Sequence, residues 1–116
     1  MALTITEQNL LVSTTELSLL TGTSTNTPQT VEGTMQAWID GIAAAVAKGD
    51  RFRVRVYEKV RSADTMRVVF MDEIYNPQSG LWASPPILVS KGWSVTMQKI
   101  AGTDRTFPTS VRLIPG

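Results

Sequence analysis

The chain contains no cysteine and no histidine. Without cysteine, thiolate zinc sites, thiol nucleophiles and disulfide staples are excluded, and the redox state of the compartment leaves no mark on the sequence. Without histidine, the side chain that most often serves as general base and metal ligand near neutrality is missing. Charge is scarce as well: Asp, Glu, Lys and Arg make up 18% of 116 residues, against about 25% in an average soluble domain. The net charge of +1 provides no global field toward nucleic acid or anionic lipid. No apolar run approaches the ~20 residues needed to span a bilayer, so no membrane association is expected. Met1-Ala2-Leu3-Thr4-Ile5-Thr6 lacks the basic start and long apolar stretch of a signal peptide, which predicts synthesis in the cytoplasm without export.

The length predicts a single domain over 1–116 with one core, residues 1–30 forming a less regular arm or loop. The clearest pattern runs from Arg51 to Arg61. Phe52, Val54, Val56 and Val60 share one parity, while Arg51, Arg53, Arg55, Tyr57, Lys59 and Arg61 share the other. Period two sorts apolar from basic residues, as a half-buried antiparallel strand requires. Ser62-Ala63-Asp64-Thr65 reads as a hairpin turn. Met66 to Tyr75 returns, with Met66, Val68, Phe70 and Ile74 expected on the buried side. Asn76-Pro77-Gln78-Ser79-Gly80 is a loop by composition. Leu81 to Ser84 leads into Pro85-Pro86, which confines the short strand Ile87-Leu88-Val89 to a sheet edge or a strand start. In Trp93 to Ile100, Trp93, Val95 and Met97 alternate with Ser94, Thr96 and Gln98. Thr106 to Ile114 closes the chain with Val111 and Leu113 inward and Arg112 outward. Turn signals every 8 to 12 residues are the signature of a sandwich or barrel.

The first half is less regular. Leu3-Thr4-Ile5 and Leu10 to Leu20 hold short alternating pieces suited to strands, and Thr21 to Thr30 is a polar, Thr-rich loop expected to be exposed and mobile. Val31 to Asp50 admits two readings. Met35, Trp38, Ile39, Ile42 and Val46 fit a helical stripe, but Gly33 and Gly41 each cost about 1 kcal/mol in a helix. A strand over Glu32 to Ile39, followed by a short helical turn capped by Asp40 and running to Lys48, satisfies both observations. The expected fold is therefore all-β: an antiparallel β-sandwich or jelly-roll-like domain with one short helix.

Three groups of residues are functional candidates. Arg51, Arg53, Arg55, Lys59 and Arg61 place five of the 11 basic residues on one face of one strand, with Tyr57 among them. Such a row can grip phosphates while the aromatic ring stacks, orient a protein partner by charge, or simply be solvated or paired with Asp72 and Glu73 on the next strand. Trp82 with Pro85 is the second candidate, as an exposed aromatic anchor beside a rigid corner or as core. The carboxylates are the third and carry no chemistry: Asp72 and Glu73 point to opposite faces of a strand, and Asp40, Asp50, Asp64 and Asp104 fall where turns and caps belong. Ser90-Lys91 faces apart, and no phosphate-binding glycine pattern occurs. No catalytic residue, metal or cofactor is expected.

Val31-Glu32-Gly33-Thr34-Met35-Gln36-Ala37-Trp38-Ile39-Asp40, Lys48-Gly49-Asp50 running into Phe52 to Arg61, Thr65 to Phe70, Trp82-Ala83-Ser84-Pro85 and Lys99 to Arg105, taken together, resemble small β-rich decoration or cement proteins among the head proteins of tailed bacteriophages. The resemblance spans residues 31–113. It implies a non-enzymatic virion protein, often trimeric, that contacts the major capsid protein or other virion proteins, with the Thr-rich N-terminal half free to reach a neighbour. Alternatives are a tail, connector or fibre component, and a nucleic-acid-binding module using residues 51–61.

Overall fold

A computed structural model describes residues 3–75 and 80–116. The expected loop at 76–79 lies outside the described residues. Among the described residues nine strands form: β1 (Thr4–Val12), β2 (Leu17–Ser18), β3 (Gly33–Asp40), β4 (Arg51–Glu58), β5 (Arg67–Tyr75), β6 (Leu81–Ala83), β7 (Ile87–Val89), β8 (Trp93–Ala101) and β9 (Arg105–Pro115). They make two antiparallel sheets. In the first, β1, β9 and β3 are neighbours, and β6 and β7 both pair with β3. In the second the order is β2-β8-β4-β5. The first strand thus pairs with the last, the second with β8, β3 with the split β6/β7, and β4 with β5, so one long antiparallel ribbon is wound upon itself in jelly-roll order.

Period-two patterning explains why the two sheets close on each other. In β3, Met35, Ala37 and Ile39 are buried; in β4, Phe52, Val54 and Val56; in β8, Trp93, Val95 and Met97; in β9, Phe107, Val111 and Leu113. The two layers meet at Phe52 and Phe107, whose rings contact edge-to-face at 4.7 Å and 73°. Such a pair adds about 0.5–1.5 kcal/mol to the burial of each ring. Where the outer strand of the first sheet breaks at Pro85-Pro86, the buried Ser84 replaces the missing ladder. Its N–H donates to Ala37 O at 2.9 Å, and its hydroxyl accepts from Ala37 N at 3.0 Å.

Four expectations are corrected. No helix forms among the described residues, so the short helix expected over Asp40 to Lys48 is absent. Asp40 does cap, its Oδ1 accepting from the N–H groups of Ile42 and Ala43 at 3.0 and 2.9 Å. The helix stops at one turn because Ala45 takes φ 55°, a left-handed conformation that no α-helix continues through. Gly41 is also held by its N–H on Gly80 O at 2.8 Å.

The expected inward row of the returning strand is the second correction. Val56 faces Phe70, but Tyr57 faces Val68, so Val69 is an extra residue and the parity reverses there. Val68 stands 47% exposed; only Ile74 and the partly buried Phe70 reach the core. Third, Trp38, which the helical stripe grouped with Met35 and Ile39, lies on the opposite, outward face of β3, its ring beneath the Arg112 guanidinium at 4.6 Å. Fourth, the Thr-rich loop is exposed but tied down. Gln29 and Trp93 exchange backbone hydrogen bonds of 2.8 and 3.0 Å, and Thr21 Oγ1 donates to Thr25 O at 3.2 Å. It is not a free arm.

Candidate interaction surfaces

β4 projects its odd-numbered side chains from the outer face of the second sheet, as its alternation requires, and brings the predicted arginines side by side. They are not free. Glu73, opposite Arg53 on β5, accepts from Nε and Nη2 of both Arg51 and Arg53, the shorter contacts being 2.8 and 2.9 Å. Hydrogen bonds from Arg51 and then Arg53 hold its carboxyl below the ordinary range against a smaller opposing effect of burial.

Arg55 is the most enclosed of the four arginines, its side chain 16% exposed. Segment 13–17 runs beside β8 at the edge of this sheet and leads into β2. Lys99 N–H donates to Ser13 O at 2.8 Å, Gln98 Nε2 to Thr14 O at 2.8 Å, and Glu16 reaches down between the strands. Glu16 Oε2 accepts from the Tyr57 hydroxyl at 2.6 Å and from the Thr96 hydroxyl, and lies 3.4 Å from Arg55. Burial first, then the adjacent Glu16, pushes the Tyr57 hydroxyl above its usual pKa, so it stays a neutral donor. Arg61, with a side chain 79% exposed, forks onto Asp64 inside its own turn. The backbone N–H of Lys59 donates to Gly92 O at 3.1 Å, and its side-chain stem covers Gly92. The row is thus largely a self-neutralised, partly covered lattice. A phosphate backbone would have to displace carboxylates already bound through two nitrogens each, which the nucleic-acid reading does not provide for.

Trp82 sits in β6, half-buried, and joins the two layers rather than standing free. Its Nε1–H donates to Asp72 Oδ2 at 2.9 Å, and its ring lies 6.4 Å from that of Phe70. Pro85 is exposed beside it. The predicted residues therefore form two separate groups, on β4 and on β6.

The carboxylates serve structure. Asp50, 3% exposed, accepts from Ala47 N–H at 2.9 Å, Thr103 N–H at 3.0 Å and Arg105 Nε at 2.9 Å. Burial alone would raise its pKa, but these donors outweigh it and hold the carboxyl below 3.8. Glu58 accepts from Lys59 N–H and Ser90 N–H at 2.8 and 2.7 Å. Among the described residues no group of three acids could hold a metal ion.

Sequence reasoning missed the outer face of the first sheet. Ile5 (50% exposed), Ile114 (49%) and Leu88 (81%) project from it, and Leu3 lies beside them. Register places Ile5 beside Arg112, and both Ile114 and Leu88 beside Thr34. A shallow hollow of about 260 Å³ opens between Leu3, Thr34, Gln36, Pro86, Arg112 and Ile114. A second, of about 310 Å³, lies on the other side of the Arg112–Trp38 stack, beside Leu81. In β9 the signal was present in the sequence: Ile114 shares the outward parity with Thr106, Ser110 and Arg112, opposite the inward Phe107, Val111 and Leu113.

No protein-family model matches the chain, and no curated protein sequence matches it. Among solved structures it is similar in fold to a protein of the disulfide-linked pili that form Bacillus endospore appendages, with a TM-score of 0.56 and 11% identity over 99% of this chain and 88% of that one. It is likewise similar to the Yersinia pseudotuberculosis-derived mitogen, with a TM-score of 0.54 and 8% identity over 97% of this chain and 86% of that one. At such identities the likeness concerns fold: the chain is a small all-β, two-sheet sandwich of a kind that unrelated sequences also adopt.

Proposed function

We propose that this chain is a non-enzymatic structural subunit that works by surface contact in a larger assembly, and that the assembly is a tailed-phage particle in which it decorates the capsid. The observation that carries the structural reading is the outward apolar row Ile5, Ile114 and Leu88 on the first sheet. Ile114 and Leu88 flank Thr34, and Leu3 and Ile5 lie near them, so exposed apolar side chains gather on one sheet face, as they do on partner surfaces. Arg112 on its Trp38 platform sets a fixed charge within that patch, which gives orientation to a contact whose energy comes from apolar burial. The titratable groups of the described sites are committed to caps and ion pairs, an arrangement suited to a scaffold. A pilus protein with the same fold is compatible with such a role. Those pili are disulfide-linked; this chain has no cysteine, so it makes no disulfide links of that kind.

The virion assignment rests on the resemblance over residues 31–113. On a symmetric shell many identical weak contacts add by avidity. Quantitative mass spectrometry of particles purified from cells carrying the gene tests it. We expect hundreds of copies per particle, and loss of the protein from particles for Leu88→Asp combined with Ile114→Asp. A few tens of copies would place it in the tail or neck instead. Absence from particles would overturn the virion reading.

A further inference from the structure

Two sheets leave four edges, and three of them are blocked. β2 is two residues long; β6 and β7 are three residues each, separated by Pro85-Pro86; β5 carries the Val69 bulge together with Arg67, Asp72 and Glu73. These are the devices by which natural sheets prevent another strand from adding on. β1 has none of them. It runs nine residues in unbroken register with β9, contains no Pro, Gly, Lys or Arg, and carries one charge, Glu7. Among the described residues its backbone ladder goes to β9 alone, which leaves the opposite edge unpaired.

The outward row of this open edge is symmetric. Reading along β1 it is Ile5, Glu7, Asn9, Leu11: apolar, polar, polar, apolar. We infer that β1 is a self-complementary edge that pairs antiparallel with β1 of a second copy, about a two-fold axis through Gln8. In that register Ile5 lies opposite Leu11 of the second copy, and Glu7 opposite its Asn9. Ile5 and Leu11, 50% and 59% exposed, cover one another. The Asn9 amide donates to the Glu7 carboxylate of the other chain, and among the described residues neither side chain has a partner to give up. Opposed residues of a two-fold antiparallel pair share a face, so the register can slip only by whole residue pairs. Centring on Glu7 opposes two like charges, and centring on Asn9 sets Glu7 against Leu11. The Gln8 register alone matches all four outward residues and uses the whole strand. Two five-stranded sheets then become one continuous ten-stranded sheet, an isologous interface that closes after two copies. This contact concerns the purified chain and stands or falls apart from the identity of the particle.

Sedimentation velocity on the purified protein is expected to give twice the 12.7 kDa chain mass, falling to one chain mass for Ile5→Lys combined with Leu11→Lys with the circular dichroism spectrum retained. Register is read independently, since the chain has no cysteine of its own. Ile5→Cys chains mixed with Leu11→Cys chains should form a disulfide dimer under mild oxidation. Ile5→Cys chains alone should not, because the two copies of that residue are six positions out of register, roughly 20 Å apart. A monomer at every concentration, a dimer indifferent to the two lysines, or equal cross-linking by Ile5→Cys alone would each overturn the inference.

Discussion

Asp50 shows how one side chain can fasten distant parts of the chain. It receives donors from the turn before β4 and from the β8–β9 turn, and Gly102 makes room for it: a Cβ at that position would lie 2.2 Å from Asp50 Oδ1. Its folded pKa lies below the unfolded value of 3.8, so the stability it contributes is fully present above that pH and is lost as pH falls through the folded value. Glu73, depressed below 4.5, acts in the same direction. The expected result is a urea midpoint that is flat from pH 7 to about 5 and falls on further acidification. Asp50→Asn should cost about 2–4 kcal/mol at pH 7, since it leaves Arg105 without its counter-charge. The gap between variant and parent should narrow below pH 3.8. Urea titrations of both proteins across the acid range check this, and a gap that widens in acid would exclude it.

At the level of elements, segment 13–17 is a strap along the edge of the second sheet, held by the Lys99 and Gln98 donors to Ser13 and Thr14, by the pairing of Leu17 with Met97 and by the Glu16 carboxylate. Glu16→Ala removes the acceptor of the Tyr57 and Thr96 hydroxyls and the ion partner of Arg55, which keeps its hydrogen bond to Gln98 Oε1. Removing one partner from a partly buried, charge-assisted network costs about 2–4 kcal/mol. We expect a loss of that size in chemical denaturation, with faster hydrogen exchange at the Lys99 amide, which the strap protects. Unchanged exchange there would mean that the strap is held otherwise. The β4–β5 hairpin was legible from sequence because alternation of Phe52, Val54 and Val56 with three arginines admits one face assignment. The pairing of Arg51 and Arg53 with Glu73 was legible as one of three alternatives; that of Arg55 with Glu16 was not. The bulge at Val69 was not legible, because Val68 and Val69 are both apolar and either can serve as the inward residue. Nor was the missing helix: Gly41 to Lys48 has good helix propensity, and what overrides it is tertiary, the burial of Ala44 and Val46 with Ala45 turned left-handed between them. The covering of Arg55 by Glu16 also lay beyond reach, since it joins residues 39 positions apart across a corner of the sandwich.

For the whole molecule, winding β1 against β9 means that two parts of the chain about a hundred residues apart must meet before the first sheet is complete. Topologies dominated by such distant pairings fold in milliseconds to seconds rather than microseconds. Stopped-flow refolding followed by fluorescence, with Trp93 buried in the core, should resolve a phase in that range; relaxation within the instrument dead time would contradict it. The same pairing decides how the molecule bears load. Thr4 lies beside Leu113, and Val12 beside Arg105, so a pull that separates the Thr4 and Leu113 ends opens the ladder one rung at a time, as a zip opens. A force that slides β1 along β9 must instead strain all the rungs together. The fold therefore resists a force that shears β1 along β9 and yields to a tug that parts Thr4 from Leu113.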